Sequence, residues 1–275
     1  MNPIELVAKN EFAMIARNPI VPVFVGFLTI LVLVNAAGYT LMDDMYSQAY
    51  DHDTTFYIGI ANLITPISMS FAFLAMCTGA ISIAEERSKG SLRILLTKPL
   101  YRRDIIIGKF LGIGAFFVLI ITLTIIIFVS IEMAFFGCPA SLSELAIKLS
   151  TFIFMLLLHT SFTFGLVMLF GILLDKREAL VLSVAYLAYE WLFQLATITA
   201  AMTSIPALKF IGLIDPIQLY WWAYMARGTP STELLAAARP YFAWLQDSYP
   251  FLILMILEVI IIILVDCASF SREEA

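Results

Sequence analysis

Charge is scarce in this sequence. Among 275 residues there are 16 Lys and Arg, 21 Asp and Glu and only 2 His, against 61% hydrophobic residues. That is too little polar surface to cover a water-soluble globule of this size, so lipid must solvate the chain. A net charge of -5 with no basic face gives no footing for nucleic acid. The three cysteines, Cys77, Cys138 and Cys267, fall in separate segments expected at different membrane depths, so they read as packing residues and not as a disulfide framework. Alternating apolar and polar positions are missing too, which excludes a transmembrane barrel. Finally, the glycines around Gly108 and Lys109 lack the spacing and the following Ser or Thr of a P-loop. No cofactor site is expected in this chain.

What the chain does have is long uninterrupted apolar runs. A membrane-spanning helix needs roughly 20 such residues. Six stretches qualify: 20–41, 56–84, 105–131, 149–174, 179–202 and 251–268. The expected fold is therefore an all-α integral membrane protein with six transmembrane helices, one domain over 1–275. Small residues near Ala36 and Ala37 lend the first run the look of a signal peptide, but the expectation is a retained anchor. Pro66 should kink or locally unwind the second span, and Lys109 can snorkel from the start of the third.

With an even number of spans both termini share one side. Lys9, Arg17, the hairpin 86–104 with Lys109, Lys176, Arg177 and Arg272 place twelve basic residues there, against Lys148, Lys209, Arg227 and Arg239 on the other. The positive-inside rule makes the first side cytoplasmic, in the plasma (inner) membrane. The loop after span one, with Asp43, Asp44, Asp51 and Asp53 and no base, fits the outside. Residues 203–250 are expected to form the largest extracytoplasmic region, because Lys209, Asp215 and two prolines make insertion of 205–226 expensive. Two short helices are predicted there, Pro216 to about Ala226 and Ser231 to about Arg239, lying on or dipping into the outer leaflet through their aromatic residues. Residues 1–18 predict a moderately amphipathic helix in the cytoplasmic interface, ending near Arg17. Glu11 sits inside its apolar arc and needs a basic partner, expected from the cytoplasmic loop.

The stretch "ERSKGSLRILLTKPLYRRD", 86–104, gathers six of the sixteen basic residues. Gly90 ends the preceding helix, Ser91 caps a short new one and Pro99 stops it. Leu92, Leu95 and Leu96 form a ridge, Arg93 and Lys98 point away, and Asp104 can cap the third span. The result is a stiff knob, suited to docking in a groove of a soluble protein.

Here the residues resemble the type-2 permeases of ATP-binding-cassette transporters. Glu86, Gly90, Leu95, Leu96, Pro99, Arg102, Gly108 and Lys109 match the pattern between their second and third spans, with Ser91 where threonine is usual and Ser88 where many members carry a second Glu. Lys9, Glu11 and Arg17 match their N-terminal helix. The resemblance implies that 86–104 is a coupling helix, with Glu86, Gly90, Ser91, Arg93, Leu95, Leu96, Pro99 and Arg102 meeting a separate ATPase. It further implies two ATPase copies on a permease homodimer, because six spans make half a pathway. Chain length and "GLIDPIQLYWWAYMARG" look most like the permeases linked to maturation of multicopper enzymes such as nitrous oxide reductase, which implies a possible extracytoplasmic partner.

Three ionisable groups fall near mid-membrane: His159, Glu190 and Glu258. They could line a polar route, or His159 and Glu190 could form an interhelical hydrogen bond that fixes packing. An intramembrane metalloenzyme would need ligand spacing that is absent, and an ion-coupled transporter would not need the knob. Met42, Met45 and His52 would suit Cu(I), but methionine is common in this chain and the neighbouring aspartates already follow from topology. The expected function is export driven by the separate ATPase, with force transmission to an outer partner as the alternative.

Overall fold

In a computed structural model the described residues are 3–41, 52–80, 82, 102–189, 215–226 and 233–273. They form eight helices and, among the described residues, no strand: α1 Pro3–Ala16, α2 Ile20–Leu41, α3 His52–Ala80, α4 Arg102–Phe136, α5 Leu142–Leu173, α6 Lys176–Ala188, α7 Pro216–Met225 and α8 Tyr241–Glu273. Five stretches are long and apolar enough to cross a membrane: Ile20–Gly38, Phe56–Ala80, Arg103–Phe136, Leu142–Leu173 and Tyr241–Arg272. Of the predicted fifth span, 179–202, only the part up to Tyr189 is described, within and just after α6.

Several spans outrun their predicted bounds, because hydropathy marks the lipid-facing part of a helix while punctuation marks its ends. α4 continues to Phe136, where Gly137 at φ 79° takes the left-handed conformation and sends its N–H to the Met133 carbonyl. Ser141 then caps α5 by accepting the Glu144 N–H at 3.3 Å. Asp104 lies in the first turn of α4, which Arg102 opens, so it complements the helix dipole without being the cap. Pro66 lies within a continuous α3, and Pro250 likewise within α8, which begins ten residues before the predicted span. Both prolines sit in long apolar helices packed on neighbours, where such residues are tolerated.

α4 is the central helix and packs against α1, α2, α3, α5 and α8. More than half of the spans in α3, α4 and α5 is buried, against 17% for those in α2 and α8. The open faces of α2 and α8, with Val23, Phe27, Ile253 and Ile261 exposed, are left to lipid or to another chain.

The largest departure from expectation is α7. It goes deeper than a helix lying on or dipping into the outer leaflet: it runs antiparallel to α8 inside the bundle. The Trp244 indole N–H and the Ser248 hydroxyl donate to the carbonyls of Tyr224 and Ala223 at 3.0 and 2.7 Å. One turn on, Trp222 packs against Phe251, and the helix begins at Asp215 beside mid-length Glu258 of α8. Its backbone is satisfied by these partners, so it tolerates burial among the spans. Residues 233–239 form turns, not the predicted helix, and the Leu234 N–H donates to the Tyr224 carbonyl at 3.0 Å. Arg239 anchors their far end on the Ala243 carbonyl and the Asp247 carboxylate.

Candidate functional site

Of the predicted coupling residues, Glu86, Gly90, Ser91, Arg93, Leu95, Leu96 and Pro99 lie outside the described residues, and so does Glu190. Arg102 is present as the first residue of α4. The two roots of the hairpin are therefore visible: Ser82, just beyond α3, and the opening turns of α4.

These roots are tied together. Lys109 does not snorkel to the interface but is 1% exposed, and its ammonium donates to Glu11 Oε1 at 2.7 Å and to the Ser82 carbonyl at 2.9 Å. Glu11 has the basic partner its place demanded, supplied by the third span instead of the loop. One cation thus holds α1, the segment after α3, and α4. Glycines let α1 come close enough: a Cβ on Gly108 would meet Val7, and one on Gly112 would press into the Ala8 backbone. Arg17, one residue past α1, is exposed.

A second group of polar residues lies at mid-length of the spans. The Tyr220 and Ser68 hydroxyls share a hydrogen bond of 2.6 Å, and the His159 ring lies 5.0 Å from the Tyr220 ring. Asp215 caps α7 through the Ile217 N–H at 3.2 Å and accepts from the Tyr189 hydroxyl at 3.3 Å. Glu258, half-buried, is within electrostatic reach of Asp215. So two of the three predicted intramembrane residues, His159 and Glu258, do border one helix, but through α7. That organiser was read as lying outside the membrane.

At the end of the bundle away from α1, Lys148 is buried, contrary to its place among exposed loop bases. Its ammonium bonds Glu144 at 3.1 Å and the Ala236 carbonyl at 3.0 Å, and lies 5.1 Å from the centre of the Tyr57 ring. Nearby, the Tyr224 hydroxyl donates to Glu233 at 3.1 Å. Burial raises the Glu233 carboxyl above its ordinary range. Sequence reading passed over Glu132 and Asp266, each fully buried and without a hydrogen-bond donor among the described residues. The available signal was an acid standing in an apolar run, "IEMAFF" and "LVDCAS". No group of three or more His, Cys, Asp or Glu able to hold a metal ion occurs among the described residues.

The bundle and its five apolar spans among the described residues define a multi-pass membrane protein. The family model for "ABC-2 family transporter protein" matches residues 6–275, and the chain belongs to that family. It is a membrane permease of the ATP-binding-cassette type, whose ATPase resides in a separate subunit. No curated protein matches the chain, and the family match does not extend to the subset linked to multicopper enzymes.

Proposed function

We propose that this chain is the membrane half of an exporter. It crosses the plasma membrane six times with both termini in the cytoplasm, pairs as a two-fold dimer, and carries a coupling helix over 86–104 on which two ATPase copies act. Glu86, Arg93 and Arg102 meet the ATPase by charge, while Leu95 and Leu96 fill its groove.

Lys109 is the observation that carries this reading. A lever is useful only if its roots move as one, and this ammonium joins the chain entering the hairpin, at Ser82, to the helix leaving it and to α1. A push on the hairpin then reaches α4, the most connected helix of the bundle, without being lost in a loop. The mid-length residues Asp215, Tyr189, Glu258, His159, Tyr220 and Ser68 would border the polar part of the route. Export is favoured over force transmission because 216–225 and 241–250 are packed into or continuous with the bundle and do not stand out as a platform. The segment that carried the likeness to copper-enzyme permeases serves this packing, so it gives copper no particular support.

The test is co-purification with the partner ATPase and measurement of its stimulated turnover. Arg93→Glu with Arg102→Glu should abolish both capture and stimulation, while Lys9→Glu, an exposed change, should preserve them. Labelling of Ser91→Cys, in a Cys138→Ser background, by an impermeant maleimide from outside intact cells would overturn the reading.

A further inference from the structure

A cleft opens beside the Lys109 clamp, between α1, the start of α2, α3 and α4. Its walls are mostly apolar, including Ile15, Val21, Leu74 and Ile113, with Cys77 and Thr78 at one side. Glu11 and Ser82 contribute to the same wall and are 3% and 2% exposed. Glu11 spends Oε1 on Lys109, but Oε2 has no hydrogen-bond partner among the described residues, and neither has the Ser82 hydroxyl. Buried polar atoms of this kind are costly unless something satisfies them. The cleft holds ≈ 80 Å³, several times the room one water needs. Its rim, at Met14 and Ile20, is exposed and runs into the open apolar face of α2 at Val23 and Phe27.

We infer that this cleft binds a lipid of the adjoining leaflet whose head group ends in a primary ammonium, as in phosphatidylethanolamine. An N–H-bearing cation supplies the donors that Glu11 Oε2 and Ser82 Oγ lack, and the apolar walls take the first part of the lipid body. A trimethylammonium has no N–H to give, and a glycerol head offers only neutral hydroxyl donors, which bind a carboxylate oxygen more weakly than an ammonium does. The charges close as well: Glu11 and Lys109 cancel, and the lipid's ammonium and phosphate cancel. Binding here would brace the clamp on the hairpin from the membrane side, a role independent of whether an ATPase pulls on it.

The test uses the full chain in nanodiscs of phosphatidylethanolamine, phosphatidylcholine or phosphatidylglycerol, in a Cys138→Ser, Cys267→Ser background. Alkylation of Cys77 by a membrane-permeant maleimide should be roughly tenfold slower with phosphatidylethanolamine than with either other lipid, the effect of about one charge-assisted hydrogen bond. Native mass spectrometry of the chain should show retained phosphatidylethanolamine, lost on filling the cleft with Thr78→Phe. Equal alkylation in all three lipids, or equal retention of all three, would overturn the assignment. The alkylation arm needs no change inside the cleft, so a misfolded variant cannot mask the result.

Discussion

Lys109 and Glu11, separated by 98 positions in sequence, meet through a 2.7 Å contact in which both side chains are almost fully buried. Neither could be there without the other. A lone ammonium or carboxylate in that setting carries a desolvation penalty of several kcal/mol, and the pair survives because each charge and the Ser82 carbonyl answer one another.

The pair should therefore behave as a unit. Lys109→Met or Glu11→Leu alone should cost about 3–5 kcal/mol, whereas the two combined should regain most of it. Unfolding of the four proteins in a mild detergent closes the cycle. Additive losses would show that the two groups do not depend on each other.

Gly112 makes a sharper demand than its neighbour in sequence, Gly114. A methyl group at Gly112 presses into the Ala8 backbone, with the Ala8 Cα only 2.9 Å away, while one at Gly114 meets nothing within 4 Å. Gly112→Ala should lower stability by about 1–3 kcal/mol and loosen α1. Gly114→Ala should be neutral or slightly stabilising through helix propensity. Proteolysis within α1 alongside thermal unfolding distinguishes the two.

The hydroxyl pair Tyr220 and Ser68 fixes α7 to α3 at mid-length of the spans. Tyr220→Phe leaves Ser68 without that partner and should cost about 1–3 kcal/mol, while Tyr220→Phe with Ser68→Ala should cost less than the single change. A transport assay on the same proteins separates packing from function: a route-lining role predicts lost export even in the rescued double variant.

Glu233 sets a pH dependence at the end opposite α1. Burial raises its folded-state pKa above the ordinary carboxylate value, against a smaller lowering by the Tyr224 hydrogen bond. Its stabilising contribution is thus complete below the unfolded-state pKa and is lost as pH rises through the raised one. Glu233→Gln, which stays neutral, should flatten that fall above the ordinary carboxylate pKa of about 4 in melting curves. A slope unchanged from that of the parent protein would show that other groups set it.

Much of the bundle was readable because lipid imposes one rule on every residue of a span: apolar, uninterrupted and long enough. Ile20–Leu41 follows that rule from end to end, and the helix is where the run is. The need of Glu11 for a cation was legible for a similar reason, since a carboxylate in an apolar arc is a debt visible in one turn of helix. Its creditor was not. The partner lay 98 residues on, among bases that all read as interfacial, and choosing Lys109 required knowing that Gly108 and Gly112 let α1 lie flat on α4.

The α7 segment marks the boundary most clearly. Sequence by itself determined that Pro216–Met225 is a short helix opening at an Asp-Pro pair, because caps and prolines act over a few neighbouring atoms. Only the tertiary structure decided that this helix belongs within the bundle. Charge and proline content argued for exile from the membrane, yet the Trp244 indole, Ser248, Ser68 and Tyr189 satisfy its carbonyls, phenol and carboxylate one by one. Local chemistry sets what a segment forms, whereas the cost of burying it depends on partners that only folding brings within reach.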